Sequence, residues 1–373
     1  MSYQSIDKIQ QVLADEVFGR TKSSKKAAGR ALGTFIEIIT FYVLREWGFD
    51  CCMAIERPLV EYANPDISHN VEFTLHPSWL IKKLKYKVSQ SITPTLILKD
   101  INLDSSYTVK KSKNIYTKSI NCLKNACILA ENNDCLIVGT VGQIQSNSID
   151  ICIYRLQKKA FAMFECKRVG VEEGCKKGPQ TIEKAKQGAY VAKATSSLQK
   201  IRNNSGCVYG IVYEDEKPII EEYSVLLDTI LKHENSLLKN FTLSVGVVSN
   251  HGNWFTADNQ NKELKVLSQS YDWLLFLSDE GLSRFISDLI LSDNSKYCCV
   301  RNAFLASYLN DSNKNVFTKV LIDADAHSVL CQYFHENIKD IESWFNVITS
   351  QPSIQVLKEQ LLMLKNKNWT NIL

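Results

Sequence analysis

The chain has 373 residues, 45% of them hydrophobic, with 44 Lys and Arg against 40 Asp and Glu and a formal net charge of +4. Such a composition permits a substantial core in one elaborated domain or two, and the absence of a visible signal peptide or membrane span leads us to expect a soluble, cytoplasmic protein. Twelve cysteines are scattered with no Cys-x-x-Cys spacing and six histidines lie apart, which argues against a disulfide framework, a zinc site and a histidine-based nuclease centre.

In chain order, the first predicted element is a helix from Lys25 to Gly48, apolar nearly all round and therefore buried. Gly29, Gly33 and Glu37 recur every four residues, so one face combines two positions of close approach with a carboxylate in an apolar stretch. A buried charge is costly unless it is paired or bound to metal, which makes Glu37 a candidate functional residue. Gly48 ends the helix, and Phe49 to Leu59 can begin a sheet. Strand signals at Val71 to Leu75 and Leu96 to Leu98 are weak. The basic clusters Lys82 to Lys87 and Lys110 to Lys113 fit either exposed loops or a grip on phosphates.

A stronger pattern follows. Asn147 to Tyr154 reads as a strand, Leu156 to Lys159 as a turn, and Lys159 to Phe164 as a second strand ending in Glu165-Cys166-Lys167-Arg168. Side chains two apart on a strand share a face, so Glu165 and Lys167 project together. A hairpin centred between Gln157 and Lys158 sets Asp150 opposite Glu165. Opposed like charges destabilise a sheet, so a cation between them is expected, and oxygen ligands of this kind suit Mg2+.

An Asp, fourteen intervening residues and then Glu-x-Lys resembles the PD-(D/E)xK nuclease superfamily, whose best-known members are type II restriction endonucleases. The resemblance covers about residues 25 to 215, with Ser148-Ile149 where the family has Pro before the Asp. It implies metal binding by Asp150 and Glu165, activation of the attacking water by Lys167, and a supporting glutamate on an N-terminal helix, here Glu37. The fold it implies is α/β (α+β), a restriction-endonuclease-like core with a central mixed β-sheet flanked by helices. That core would span residues 1–277, with DNA-contacting insertions at about 56–135.

Downstream, a glycine-rich loop leads into a helix predicted from about Gln180 to Arg202. Gln180, Lys184 and Gln187 line one of its faces, and Gln187 with Tyr190 loosely resembles the family's auxiliary residues. Between Ile151 and Arg202 there are twelve Lys or Arg against four Asp or Glu. That excess points to a polyanion, with Lys176, Lys177, Gln180 and Lys184 as candidate DNA contacts. Gly206 to Tyr213, Phe241 to Val248 and Ser270 to Leu277 read as further strands. The segment from Ser249 to Asn261 reads as a DNA-facing loop. Residues 278–373 read as a helical subdomain, with helices at Leu282 to Leu291, Ala303 to Leu309, Val316 to Glu336, Ile338 to Ile348 and Ile354 to Leu364. The function expected is magnesium-dependent cleavage of double-stranded DNA at a short sequence by a homodimer in a restriction-modification system. A repair or recombination nuclease and a non-catalytic DNA-binding module are the alternatives.

Overall fold

A long buried helix and a six-stranded mixed sheet form the centre of the protein. The computed structural model describes residues 5–58, 70–170, 190–192, 196, 198–214, 216–232, 236–251, 262–308, 315–349 and 351–373. Helix α1 (Ile6–Val12) is capped by Ser5, whose hydroxyl accepts from the Lys8 amide. Helix α2 (Ser24–Glu46) occupies the predicted position and has no side-chain cap, so burial must stabilise it. Its length and apolar content would suffice to cross a membrane, but 72% of its most apolar window is buried within the protein. Phe35, Phe41 and Tyr42 pack against Phe304, Phe73 and Phe334, with ring centroids 5.0, 6.3 and 5.2 Å apart. Each such side chain contributes about 2 kcal/mol by leaving water.

The sheet contains β1 (Met53–Pro58), β2 (Asn70–Leu75), β3 (Ala162–Gly170), β4 (Leu243–His251), β5 (Trp273–Leu277) and β6 (Phe345–Val347), side by side in that order. The pairings β1–β2, β2–β3 and β5–β6 are antiparallel, whereas β3–β4 and β4–β5 are parallel. A mixed α/β architecture is therefore present. Burial explains why β2 was faint in the sequence: Val71 to Leu75 are buried at every position, so its alternation of apolar and polar residues reflects two covered faces.

The largest departure from expectation concerns the strand before the Glu-x-Lys motif. Ser148–Gln157 is not the hairpin partner of β3. It lies inside a separate five-stranded antiparallel sheet, between Ser78–Lys87 and Cys135–Gln145, and both of its edges are taken. Residues 148–156 and β3 run in the same direction, each antiparallel to the continuous stretch 70–87. Leu156 to Lys159 is therefore a bend in one long ribbon, not a reversal. The Gln157 amide donates to the Pro77 carbonyl at 2.9 Å and the Phe161 amide to the Leu75 carbonyl at 2.8 Å, which carries the ribbon across the bend. Leu-Gln-Lys-Lys also lacks the Gly, Asn or Asp that two-residue hairpin turns require.

Other expectations are corrected by local chemistry. Leu96 to Leu98 belongs to a helix, Pro94–Ile101, because Thr93 caps the Leu96 amide and Pro94 occupies the first turn. The helix expected to reach Arg202 cannot do so, since Gln199–Arg202 is a strand paired with Val208–Glu214. Residues beyond 278 are not wholly helical and contribute strands to two sheets. β6 is an edge of the central sheet, and Leu321–Asp323 pairs with Cys122–Lys124. Asp323 then caps helix Ala324–Ser343, accepting from the Asp325 and Ala326 amides, so Val316 to Asp323 is not helical.

Candidate active site

β2 and β3 pair only as far as Phe73 and Phe164, and then part. Glu72 and Glu165 are the next residues on each strand. The Glu72 amide donates to Oε2 of Glu165 at 3.4 Å, so a carboxylate occupies the opening of the fork. Glu165 has a fully buried side chain and Glu72 one that is 9% exposed. Two ammonium groups answer this charge. Lys167 Nζ lies 2.8 Å from Oε1 of Glu165 and 3.4 Å from Oε1 of Glu72. Lys319 reaches in from the segment before Leu321–Asp323 and contacts Glu37 at 2.8 Å, Glu56 at 3.1 Å and Glu72.

The electrostatics follow from burial and crowding. Burial, with the Glu72 carboxylate nearby, pushes the Glu37 carboxyl up to about 7 against the pull of Lys319. Burial alone would lower both ammonium groups. Glu165 and Glu72 outweigh it at Lys167, and Glu37 and Glu72 outweigh it at Lys319, so both lysines stay charged above the ordinary range. Glu56 adds a backbone feature. It stands on edge strand β1 with φ at 51°, a left-handed conformation uncommon for a residue with a Cβ, and its half-exposed side chain faces Lys319.

Neighbouring elements hold the motif strand in place. On the face opposite Glu165 and Lys167, Cys166 Sγ lies 3.5 Å from Thr40 Oγ1 of α2. Arg168 donates to the Gly29 carbonyl at 3.0 Å, to Gln10 Oε1 at 3.3 Å and to the Asn250 carbonyl at 3.2 Å, joining β3 to α2, α1 and β4. Beside Glu56 the surface opens into a cavity of about 520 Å³ whose lining includes Arg57, Lys110, Lys124 and Lys158.

Of the residues singled out from the sequence, the structure brings Glu165, Lys167 and Glu37 together. Asp150 is not with them. It pairs with Lys85 in the five-stranded sheet, and Glu72 holds the position it was expected to take. Lys176, Lys177, Gln180, Lys184 and Gln187 lie outside the described residues, as does most of the loop from Ser249 to Asn261. Glu72, Glu56 and Lys319 were missed. Glu72 carried a faint signal as the one charge in Val71-Glu-Phe-Thr-Leu75, whereas Lys319 carried none, because only the tertiary fold delivers it.

Among the described residues, no three His, Cys, Asp or Glu side chains stand in a metal-ligating arrangement, and the carboxylates are turned onto the two lysines. Comparison with protein families, with curated sequences and with solved structures finds no match.

Proposed function

We propose that this protein is a magnesium-dependent endonuclease of double-stranded DNA, of the type II restriction kind, with Glu72, Glu165 and Lys167 as its reacting constellation and Glu37 in support. The observation that carries the reading is the fork: two carboxylates from diverging strands meet at its opening, with a lysine from the same strand within 3.4 Å of both. The mixed sheet and the buried helix supplying Glu37 support a restriction-endonuclease-like core.

The donor chemistry fits magnesium. Carboxylate oxygens are hard ligands, and this ion needs only one or two of them beside water and phosphate oxygens. Glu72 and Glu165 would hold it, with Glu37 behind them. When bound, the ion lowers the pKa of a coordinated water and offsets charge on the phosphate. Lys167 is 24% exposed, so its ammonium can move off the carboxylates toward a phosphate while remaining charged. There it would orient the attacking water and offset the negative charge that grows on the phosphate oxygens. Burial of Glu165 keeps its carboxylate fixed, so little reorganisation is needed during the reaction. The cavity beside Glu56, whose lining has Arg57, Lys110, Lys124 and Lys158 against Glu56 and a Glu131 paired with Lys110, supports a polyanionic substrate through its excess of cations, since sequence-independent affinity for DNA comes from lysine and arginine near its phosphates.

Purified protein incubated with plasmid DNA and magnesium should give discrete fragments whose mapped ends share a short sequence, and Glu165→Gln should give none while remaining folded. Intact plasmid with the wild-type protein across varied sequences, or equal cleavage by the variant, overturns the proposal. Random ends in place of a shared sequence would shift the reading to a repair or recombination nuclease.

A further inference from the structure

Two-metal phosphodiester hydrolases place a pair of divalent cations about 4 Å apart to stabilise the attacking and leaving oxygens. Here the carboxylates fall into two groups that share Glu72. One is Glu72 with Glu165, faced by Lys167. The other is Glu72 with Glu37 and Glu56, faced by Lys319.

The two lysines differ in freedom. Lys167 is 24% exposed, on the open side of the fork. Lys319 is 6% exposed, contacts three carboxylates, and is held by its surroundings: the Asn125 side chain donates to the Lys319 carbonyl at 3.1 Å, and the Asn125 amide donates to the carbonyl of Val320 at 2.9 Å. A divalent ion can therefore displace the first ammonium at little cost. Displacing the second means moving a buried, anchored ammonium out of contact with three carboxylates at once, with far less access to water on its way out.

We infer that Lys319 is a built-in cation occupying the second metal position, so that this site takes one divalent ion per chain and uses a fixed ammonium where two-metal enzymes use another ion. The inference rests on the function proposed above and specifies the makeup of that site. Lys319 is a positioning residue: it fixes Glu72 and Glu37 from behind and sets how many ions they accept. It comes from the C-terminal region, which makes that region part of the active site.

Manganese titration followed by electron paramagnetic resonance and calorimetry tests this without reference to cleavage. The wild type should bind one ion per chain, and Glu165→Gln should lose it. Lys319→Met should bind two, the second on Glu37, Glu56 and Glu72, and its Tm should rise with manganese more steeply than that of the wild type. Lys319→Arg keeps the charge and should stay at one. A wild type that binds two ions, or a folded Lys319→Met that stays at one, overturns the inference and leaves the proposed function standing. Should Lys319→Met fold only in manganese, the same result is being read as stability. If it fails to fold even in excess manganese, the carboxylates do not accept an ion there and the inference falls. A wild type that binds no manganese overturns the proposed function and this inference together.

Discussion

Glu72 and Glu165 stand at the point where β2 and β3 separate, joined by a 3.4 Å hydrogen bond from the Glu72 amide to the Glu165 carboxylate. One step back into the pairing, Phe73 and Phe164 are still paired and buried. The apolar ladder below holds two like charges at its end. Such an arrangement is unfavourable unless cations lie close by, and both Lys167 and Lys319 do.

Glu72, rather than Asp150, should therefore be essential. Glu72→Ala is expected to slow plasmid cleavage by at least about a hundredfold, the scale of losing a principal electrostatic contribution. Asp150→Ala, changed in a different sheet, should stay within about threefold of the wild type. Cleavage rates of the two purified variants, with circular dichroism to confirm folding, decide the matter; an inactive, folded Asp150→Ala would return the site to the hairpin register.

The helix and the Glu-x-Lys strand were legible because each leaves a local mark, whereas the mixed sheet was expected only through the family resemblance. α2 is a long apolar run containing Glu37, and β3 sets two opposite charges two residues apart. The partner of β3 was not legible. Strand pairing was assigned to the nearest strand in sequence, while five strands drawn from residues 78–157 form a separate sheet, inserted in the chain between β2 and β3. No periodicity encodes that choice. What the sequence did contain was the negative evidence that Leu156 to Lys159 holds no turn residue. Lys319 illustrates the other limit, since a lysine between Thr318 and Val320 becomes meaningful only when a fold brings it to Glu37 and Glu72.

Lys167 should matter for stability as well as cleavage. Lys167→Met removes the ammonium 2.8 Å from a fully buried carboxylate, and breaking such a pair costs about 3 kcal/mol. Urea unfolding in EDTA should show that loss. The double variant with Glu165→Gln should recover a large part of it, because the charge left behind is gone. Additive losses in the double variant would mean the two side chains are not coupled.

The cavity beside Glu56 should contribute phosphate contacts. Lys124→Ala and Lys158→Ala are each expected to weaken DNA binding and to reduce the slope of log K against log salt by about 0.9, one phosphate contact apiece. Fluorescence anisotropy with a labelled duplex at several salt concentrations, in calcium to prevent cleavage, measures both quantities. Slopes equal to that of the wild type would place the DNA elsewhere on the surface.

The bend that brings β2 to the fork depends on a neutral histidine. His76 is fully buried, with Nδ1 at 2.8 Å from the Gln157 carbonyl and Nε2 at 2.7 Å from Thr74 Oγ1. A carbonyl only accepts, so Nδ1 carries the proton and Nε2 accepts from the threonine hydroxyl. Burial, aided by the nearby Arg57, lowers the imidazole to about 3 from an ordinary value near 6.5. Between those values the unfolded chain binds a proton that the folded chain refuses, so the contribution to stability is complete above pH 6.5 and is lost as pH falls toward 3. One such proton is worth about 1.4 kcal/mol per pH unit. His76→Gln can keep both hydrogen bonds without titrating, so its unfolding free energy should fall less steeply than the wild type's between pH 6.5 and pH 5. Urea titrations at three pH values across that range measure the difference, and parallel curves would show that His76 is not the group that makes the bend acid-sensitive.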